Sequence, residues 1–186
     1  MNNIVQQETE KDVKIEHQKE RRKMLMHTIS TLIVVAAISV LIATKFLPVL
    51  QVSGRSMEPT LEDGEIVILH KTSDVETGEI IGFYYQSKIL LKRVIGTGGD
   101  YIEIDQDGNV YVNDKKLEEP YLDKDLGNCD IEFPYQVPEG KLFVLGDCRK
   151  VSTDSRNSEI GCITKEQIVG KVIFRIWPIS DMKFFY

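Results

Sequence analysis

A chain of 186 residues, 42% hydrophobic and 28% charged, has room for one membrane segment and one compact domain, which excludes two large domains. A formal charge of -6 with no dominant basic patch excludes a nucleic-acid footprint, because phosphate binding rests on clustered Lys and Arg that release counterions. Three well-separated cysteines, Cys129, Cys148 and Cys162, form no C-x-x-C pair and exclude a zinc cluster.

Residues 1–23, rich in Glu, Gln and Lys, read as a cytoplasmic tail, either a solvated helix or disordered. Met24 to Thr44 carries no Asp, Glu, Lys or Arg and matches the roughly 20 residues a spanning helix needs, so 24–45 is the expected transmembrane helix. A cleavable signal peptide is the competing reading. Against it stand the length of the apolar run, the long polar segment before it and the lack of a small-x-small pattern after Ala43. Lys19, Arg21, Arg22 and Lys23 precede the helix and only Lys45 closely follows, which keeps the N-terminus in the cytoplasm and sends residues 46–186 outside. In that setting one disulfide is open in three pairings, and buried free thiols are the favoured alternative.

From there short apolar runs alternate with turn signals, at Ile66–His70, Glu79–Tyr85, Ile89–Ile95, Tyr101–Asp105, Val110–Asn113, Leu142–Leu145 and Lys171–Trp177. The fold class is therefore mostly β, an antiparallel β domain behind one N-terminal transmembrane helix. Asp107-Gly108 predicts a tight I′ hairpin turn. The stretch 101–140 reads as a small inserted hairpin and loop region, and within it Glu118–Gly140 reads as loops decorating the core. Thr164 with Gln167 predicts the only helix outside the membrane, a short capped one.

The chemistry is sought first at histidine, but His70 is the only one after the apolar segment, and it sits in a strand-like run. A Ser-His-Asp triad is thereby disfavoured, and a serine nucleophile needs another base. A lysine serves if burial makes its amine neutral, and Lys92 in Ile89-Leu-Leu-Lys-Arg-Val-Ile95 meets that condition. Strand alternation points Lys92 to one face and Arg93 to the other. A lone strand lysine is by default a snorkelling surface residue, so this run alone does not establish a base.

Three stretches together resemble the signature boxes of type I signal peptidases, in the order and spacing of that family. They are Ser56-Met57-Glu58-Pro59-Thr60-Leu61, Lys92-Arg93-Val94-Ile95-Gly96-Thr97-Gly98-Gly99-Asp100, and Gly146-Asp147-Cys148-Arg149-Lys150-Val151-Ser152-Thr153-Asp154-Ser155-Arg156. Gly64-Glu65-Ile66-Val67 resembles a fourth, intervening box. The likeness covers the anchor and nearly all of Ser53 to Arg175, leaving the tail and Glu118–Gly140 unmatched.

The resemblance implies a serine endopeptidase that removes signal peptides from secretory preproteins at the outer face of the membrane, without cofactor or metal. It casts Ser56 as nucleophile, its main-chain amide as oxyanion donor, and Lys92 as general base. Ser152 would hydrogen-bond the Lys92 amine, while the pair Asp154 and Arg156, with Asp147 and Arg149, would support the site. Met57, Leu61, Leu90 and Leu91 would line shallow pockets for small residues before the cut, or be plain core. The substrate would lie extended against strand edges near Val52 and Leu90.

Three positions depart from the family pattern: Gly98 for Pro, Cys148 for Asn, and Gly54 where one branch carries a serine donor, the last being like the Gram-positive branch. Only eleven residues, Lys45 to Arg55, separate the helix from Ser56, which sets the site near the bilayer. Trp177, Phe184, Phe185 and Tyr186 suit either the lipid interface or the edge of the core. Two other functions share some of these features. A self-cleaving repressor-type Ser–Lys protease would need an N-terminal DNA-binding module, and a silent membrane-tethered β module would not need Ser56 and Lys92.

Overall fold

The computed structural model describes residues 2–122 and 127–185, and the side chains at 2–18 and 42–44 are outside that description. Tyr186 and positions 123–126 of the loop region therefore lie outside the described residues. The chain divides into two compact units, Met1–Lys45 and Phe46–Tyr186.

The first unit is helical, belonging to α1 (Asn2–Phe46), so helix rather than coil runs through the polar tail. By length and composition Lys19–Leu41 can cross a membrane, and none of that window is buried against protein. Three of its hydroxyls are satisfied by the helix itself. Thr28, Thr31 and Ser39 each donate to the carbonyl four residues back, at 3.0, 2.9 and 2.9 Å.

The second unit is built of antiparallel strands. In chain order they are β1 (Val49–Gln51), β2 (Ile66–His70), β3 (Ile80–Tyr85), β4 (Lys88–Thr97), β5 (Tyr101–Ile104), β6 (Val110–Val112), β7 (Lys115–Lys116), β8 (Tyr135–Gln136), β9 (Lys141–Leu145), β10 (Ile163–Thr164), β11 (Ile168–Trp177) and β12 (Lys183–Phe184). The large sheet runs β1-β2-β11-β3-β4-β9-β10 with β12 added on β11, and the small one runs β7-β6-β5-β8. Successive β3 residues Ile80 and Ile81 are both buried but enter different clusters, because the side chains of a strand alternate between faces. Ile80 joins Val52, Met57, Leu61, Val67 and Leu69; Ile81 joins Phe83, Val94, Leu142 and Val144. A third cluster, with Ile95, Phe143 and Leu145 facing Ile102, Val110 and Val137, seals the small sheet to the large one.

Three local expectations are corrected. Asp107-Gly108 does not form a two-residue I′ turn: β5 and β6 are joined by a loop closed around the Asp105 carboxylate, which accepts from the amides of Asp107 and Asn109 at 3.0 and 2.9 Å. The two-residue turn with left-handed backbone comes one hairpin later, at Asn113 and Asp114, with φ of 52° and 64° between β6 and β7. Secondly, Glu118–Gly140 is not mere decoration, since Val137 is fully buried and Ile131, Phe133 and Tyr135 pack on the third cluster. Thirdly, Lys165–Gln167, where the Thr164 amide donates to Gln167 Oε1 at 2.9 Å, is one of two short 3-10 helices among the described residues; Ile179–Asp181 is the other.

Candidate active site

Ser56 sits on a turn between β1 and β2 whose two ends are pinned. The Val52 amide donates to the Glu65 carbonyl at 2.8 Å, and the Leu61 amide to that of Met57 at 2.9 Å. Met57 and Leu61 sink into the first core cluster, so the turn is anchored by apolar burial directly after the serine. Gly54 has φ of 87°, a backbone that a side chain resists, and its amide donates to Asp63 Oδ1 at 2.7 Å. Glycine there is thus a conformational requirement of the turn. From the other side the Cys148 amide donates to the Ser56 carbonyl at 3.1 Å.

Lys92 comes from the middle of β4 and is almost completely buried, at 3% exposure. Its amine lies 2.7 Å from Ser56 Oγ and 3.1 Å from the Leu91 carbonyl. Burial, the largest influence, pulls the amine from 10.5 down to about 8; Asp154 and Asp147 oppose that pull and Arg156 adds to it. Near neutral pH a useful fraction is therefore the free base. Arg93 points the other way, donating to Asp147 through Nε at 2.9 Å and to the Gly78 carbonyl at 2.7 Å.

The loop after β9 supplies the surroundings. Asp154 and Arg156 form a buried pair, Nε to Oδ1 at 2.8 Å and Nη2 to Oδ2 at 2.9 Å, and Asp154 Oδ2 also accepts the Gly146 amide at 3.0 Å. Asp147 and Arg149 tie the same loop through separate partners: Asp147 is held by Arg93, while Arg149 pairs with Glu119 and donates to the Gly146 carbonyl at 3.0 Å. Ser152 differs from expectation. Its buried Oγ has no hydrogen-bond partner among the described residues, while the amine it was expected to hold bonds Ser56 and Leu91. It packs instead against Gly146, where a Cβ would meet Ser152 Oγ at 2.2 Å and the Ser56 carbonyl oxygen at 2.5 Å. Gly146→Ala is accordingly expected to push the loop off the nucleophile and to lower kcat by about 100-fold, read from steady-state kinetics on a variant shown folded by circular dichroism. Unchanged kcat would show that this contact does not hold the serine.

A groove of about 100 Å³ opens beside the pair, walled by Leu50 to Gly54, Ser56 and Met57 on one side and Ile89 to Lys92 on the other. Of the four expected lining residues, Met57, Leu90 and Leu91 are there. Leu61 is not; it is fully buried in the core beneath the turn. Leu50 and Ile89 were missed, although Ile89 lies two residues from Leu91 and so on the same strand face. Strand edges are free along both walls. Among the described residues β1 pairs only with β2, and β4 meets β9 only from Arg93 onward, leaving the outer edge of its first half open.

A larger cavity of about 690 Å³ lies on the Arg93 side, bounded by Thr60, Glu79, Tyr121, Lys171 and Phe184, but it contains neither Ser56 nor Lys92. Among the described residues no cluster of His, Cys, Asp and Glu is placed to hold a metal ion. All three cysteines are free, Cys129 exposed and Cys148 and Cys162 half-buried.

Comparison with known proteins gives a consistent result. A family model described as signal peptidase, peptidase S26, matches residues 25–177. Signal peptidase IB of Staphylococcus aureus (strain MRSA252) is 40% identical, over 82% of this chain and 90% of that protein. Signal peptidase I of Bacillus amyloliquefaciens is 34% identical, over 92% of this chain and 98% of that protein. Among solved structures, a signal peptidase I from Enterococcus faecalis V583 is similar at 28% identity and a TM-score of 0.45, covering 53% of this chain and 96% of that one.

Proposed function

Because the chain belongs to the signal peptidase family, peptidase S26, we propose that it is a membrane-anchored serine endopeptidase that removes signal peptides from secreted preproteins with a Ser56–Lys92 dyad. The observation that carries this reading is the buried Lys92 amine, 2.7 Å from Ser56 Oγ, with its pKa drawn down to about 8.

The chemistry follows from that contact. Neutral Lys92 accepts the Ser56 proton as Oγ attacks the scissile carbonyl, and the ammonium so formed protonates the leaving amine. Water then releases the acyl group by the same steps in reverse. The Ser56 main-chain amide makes no hydrogen bond among the described residues and is free to donate to the oxyanion. Asp147, Arg149, Asp154 and Arg156 support the site. Ser152 belongs with them through its carbonyl, which accepts from Arg156 at 3.5 Å, and not through a bond to the amine.

The groove suits an extended peptide that adds a strand between the free edges of β1 and β4, with small side chains entering the spaces beside Met57, Leu90 and Leu91. The apolar walls at Met57, Leu90 and Leu91 suit small residues, usually Ala, before the cut. Lys19 and Arg21 to Lys23 hold the tail inside, which sends the strands and Ser56 to the outer side of the membrane.

The test is to incubate the detergent-solubilised full chain with a preprotein and sequence the new N-terminus. A cut directly after the signal peptide, unaffected by chelator, is expected; a chelator-sensitive cut or none would overturn the proposal. A lowered lysine pKa also sets the sign of the pH dependence. Activity should rise with pH through a midpoint near 8 as Lys92 loses its proton, and a profile flat across that range would exclude Lys92 as the base.

A further inference from the structure

The turn Glu119–Leu122, closed by the Leu122 amide on the Glu119 carbonyl at 3.1 Å, touches both halves of the site without lining the groove. The Tyr121 ring lies over the Arg93 guanidinium, 4.0 Å from centroid to carbon, directly behind Lys92 on β4. Its hydroxyl donates to Glu119 Oε1 at 3.0 Å. The same carboxylate pairs with Arg149, and both of those side chains are buried. Arg149 Nε in turn holds the Gly146 carbonyl at 3.0 Å, in the loop whose Cys148 amide bonds Ser56.

We infer that Glu119 and Tyr121 are positioning residues for the dyad: one short turn grips the base-bearing strand through Arg93 and the nucleophile-bearing loop through Arg149, and so fixes the distance between them. The inference rests on the Ser56–Lys92 reading given above. Neither residue touches substrate, because neither belongs to the groove walls. Their effect reaches the reaction through geometry and through the charge on Asp147.

The electrostatic consequence has a definite sign. The charged groups acting on Lys92 are Asp154 and Asp147, which favour the ammonium, and Arg156, which opposes it. Arg93 holds Asp147, and the Tyr121 ring covers that guanidinium, leaving the Arg93 side chain 12% exposed. Without the ring, water reaches the Arg93–Asp147 pair, Arg93 screens Asp147 less, and Lys92 is less desolvated. Both changes raise the affinity of Lys92 for its proton and move the rising limb of activity to higher pH. Burial, with the Glu119 carboxylate beside it, holds the Tyr121 phenol well above its ordinary value, so it remains a neutral donor throughout.

The experiment measures kcat and KM for the detergent-solubilised full chain from about pH 6 to about pH 10, in Tyr121→Leu, Tyr121→Phe, Glu119→Gln and, alongside, Lys92→Met. Tyr121→Leu keeps apolar bulk but has no ring face; it is expected to shift the limb upward by about half a unit and to lower kcat at unchanged KM. Tyr121→Phe restores the ring and should return the midpoint most of the way to that of the original chain. Glu119→Gln loosens the Arg149 arm and should lower kcat about tenfold, again at unchanged KM.

A limb that stays in place in Tyr121→Leu, with only the unfolding midpoint altered, overturns the inference, as does a loss that appears in KM. If Tyr121→Leu does not fold by circular dichroism, Glu119→Gln decides, and an unchanged kcat there overturns it. Activity surviving in Lys92→Met strikes the dyad itself, which keeps the two failures apart.

Discussion

Ser56→Ala and Lys92→Met are each expected to lower kcat by about 10⁴-fold or more with little change in KM, because in a nucleophile–base pair either loss removes the shared step. For the same reason the double variant should be hardly worse than either single one. Stability separates lost chemistry from lost structure. Lys92 has a folded pKa near 8, below its ordinary 10.5, so below pH 8 the fold carries the whole penalty of a buried ammonium. That penalty is on the order of 3 kcal/mol and is relieved as pH rises from about 8 to about 10.5, where the folded amine gives up its proton before the unfolded one does. Methionine keeps the stem without the charge, and Lys92→Met should unfold at a higher denaturant concentration than the original chain at neutral pH. Preprotein processing within about tenfold of the original in either single variant would end the dyad proposal.

The parts of this fold that were legible in the sequence are those that carry their own apolar run. Ile66–His70 is a short apolar run bounded by turn signals and is β2 to the residue, and the longer strands β3, β4, β9 and β11 were each found to within a few residues. β7, β8, β10 and β12 have two residues each, too short for any alternation, and exist because a neighbouring strand offers them a ladder. The Asp107-Gly108 turn failed for a related reason. A local side-chain acceptor, Asp105, competed for the amides that a two-residue turn would have left to the strands.

At the site the sequence disclosed residue types but not their partners. Strand alternation correctly separated Lys92 from Arg93, yet nothing in the spacing says that Arg93 takes Asp147 or that Arg149 takes Glu119, 30 residues before it. The Glu119–Tyr121 turn lies in a stretch with three prolines and no hydrophobic period, so its place in the site is a tertiary fact alone. Leu61 is the converse case: an apolar residue in the nucleophile's own box, whose burial serves to anchor the turn and not to contact a substrate.

The largest loss of stability is expected from Arg156→Met. Asp154 and Arg156 are 1% and 2% exposed, and the carboxylate is otherwise held by the Gly146 amide at 3.0 Å and the weaker Arg156 amide at 3.3 Å. Removing the guanidinium strands a negative charge in the interior, which costs about 3–5 kcal/mol, whereas replacing both partners with well-packed uncharged groups costs far less. Arg156→Met should therefore lower the denaturation midpoint sharply, and Asp154→Asn/Arg156→Met should recover part of it. The activity that remains should also report the change. Arg156 is the cation that disfavours the Lys92 ammonium and Asp154 the carboxylate that most favours it, so the single variant should move the rising limb above pH 8 and the double variant should bring it back down. An Arg156→Met protein as stable as the original, with its limb unmoved, would mean that this buried pair neither holds the loop nor tunes the base.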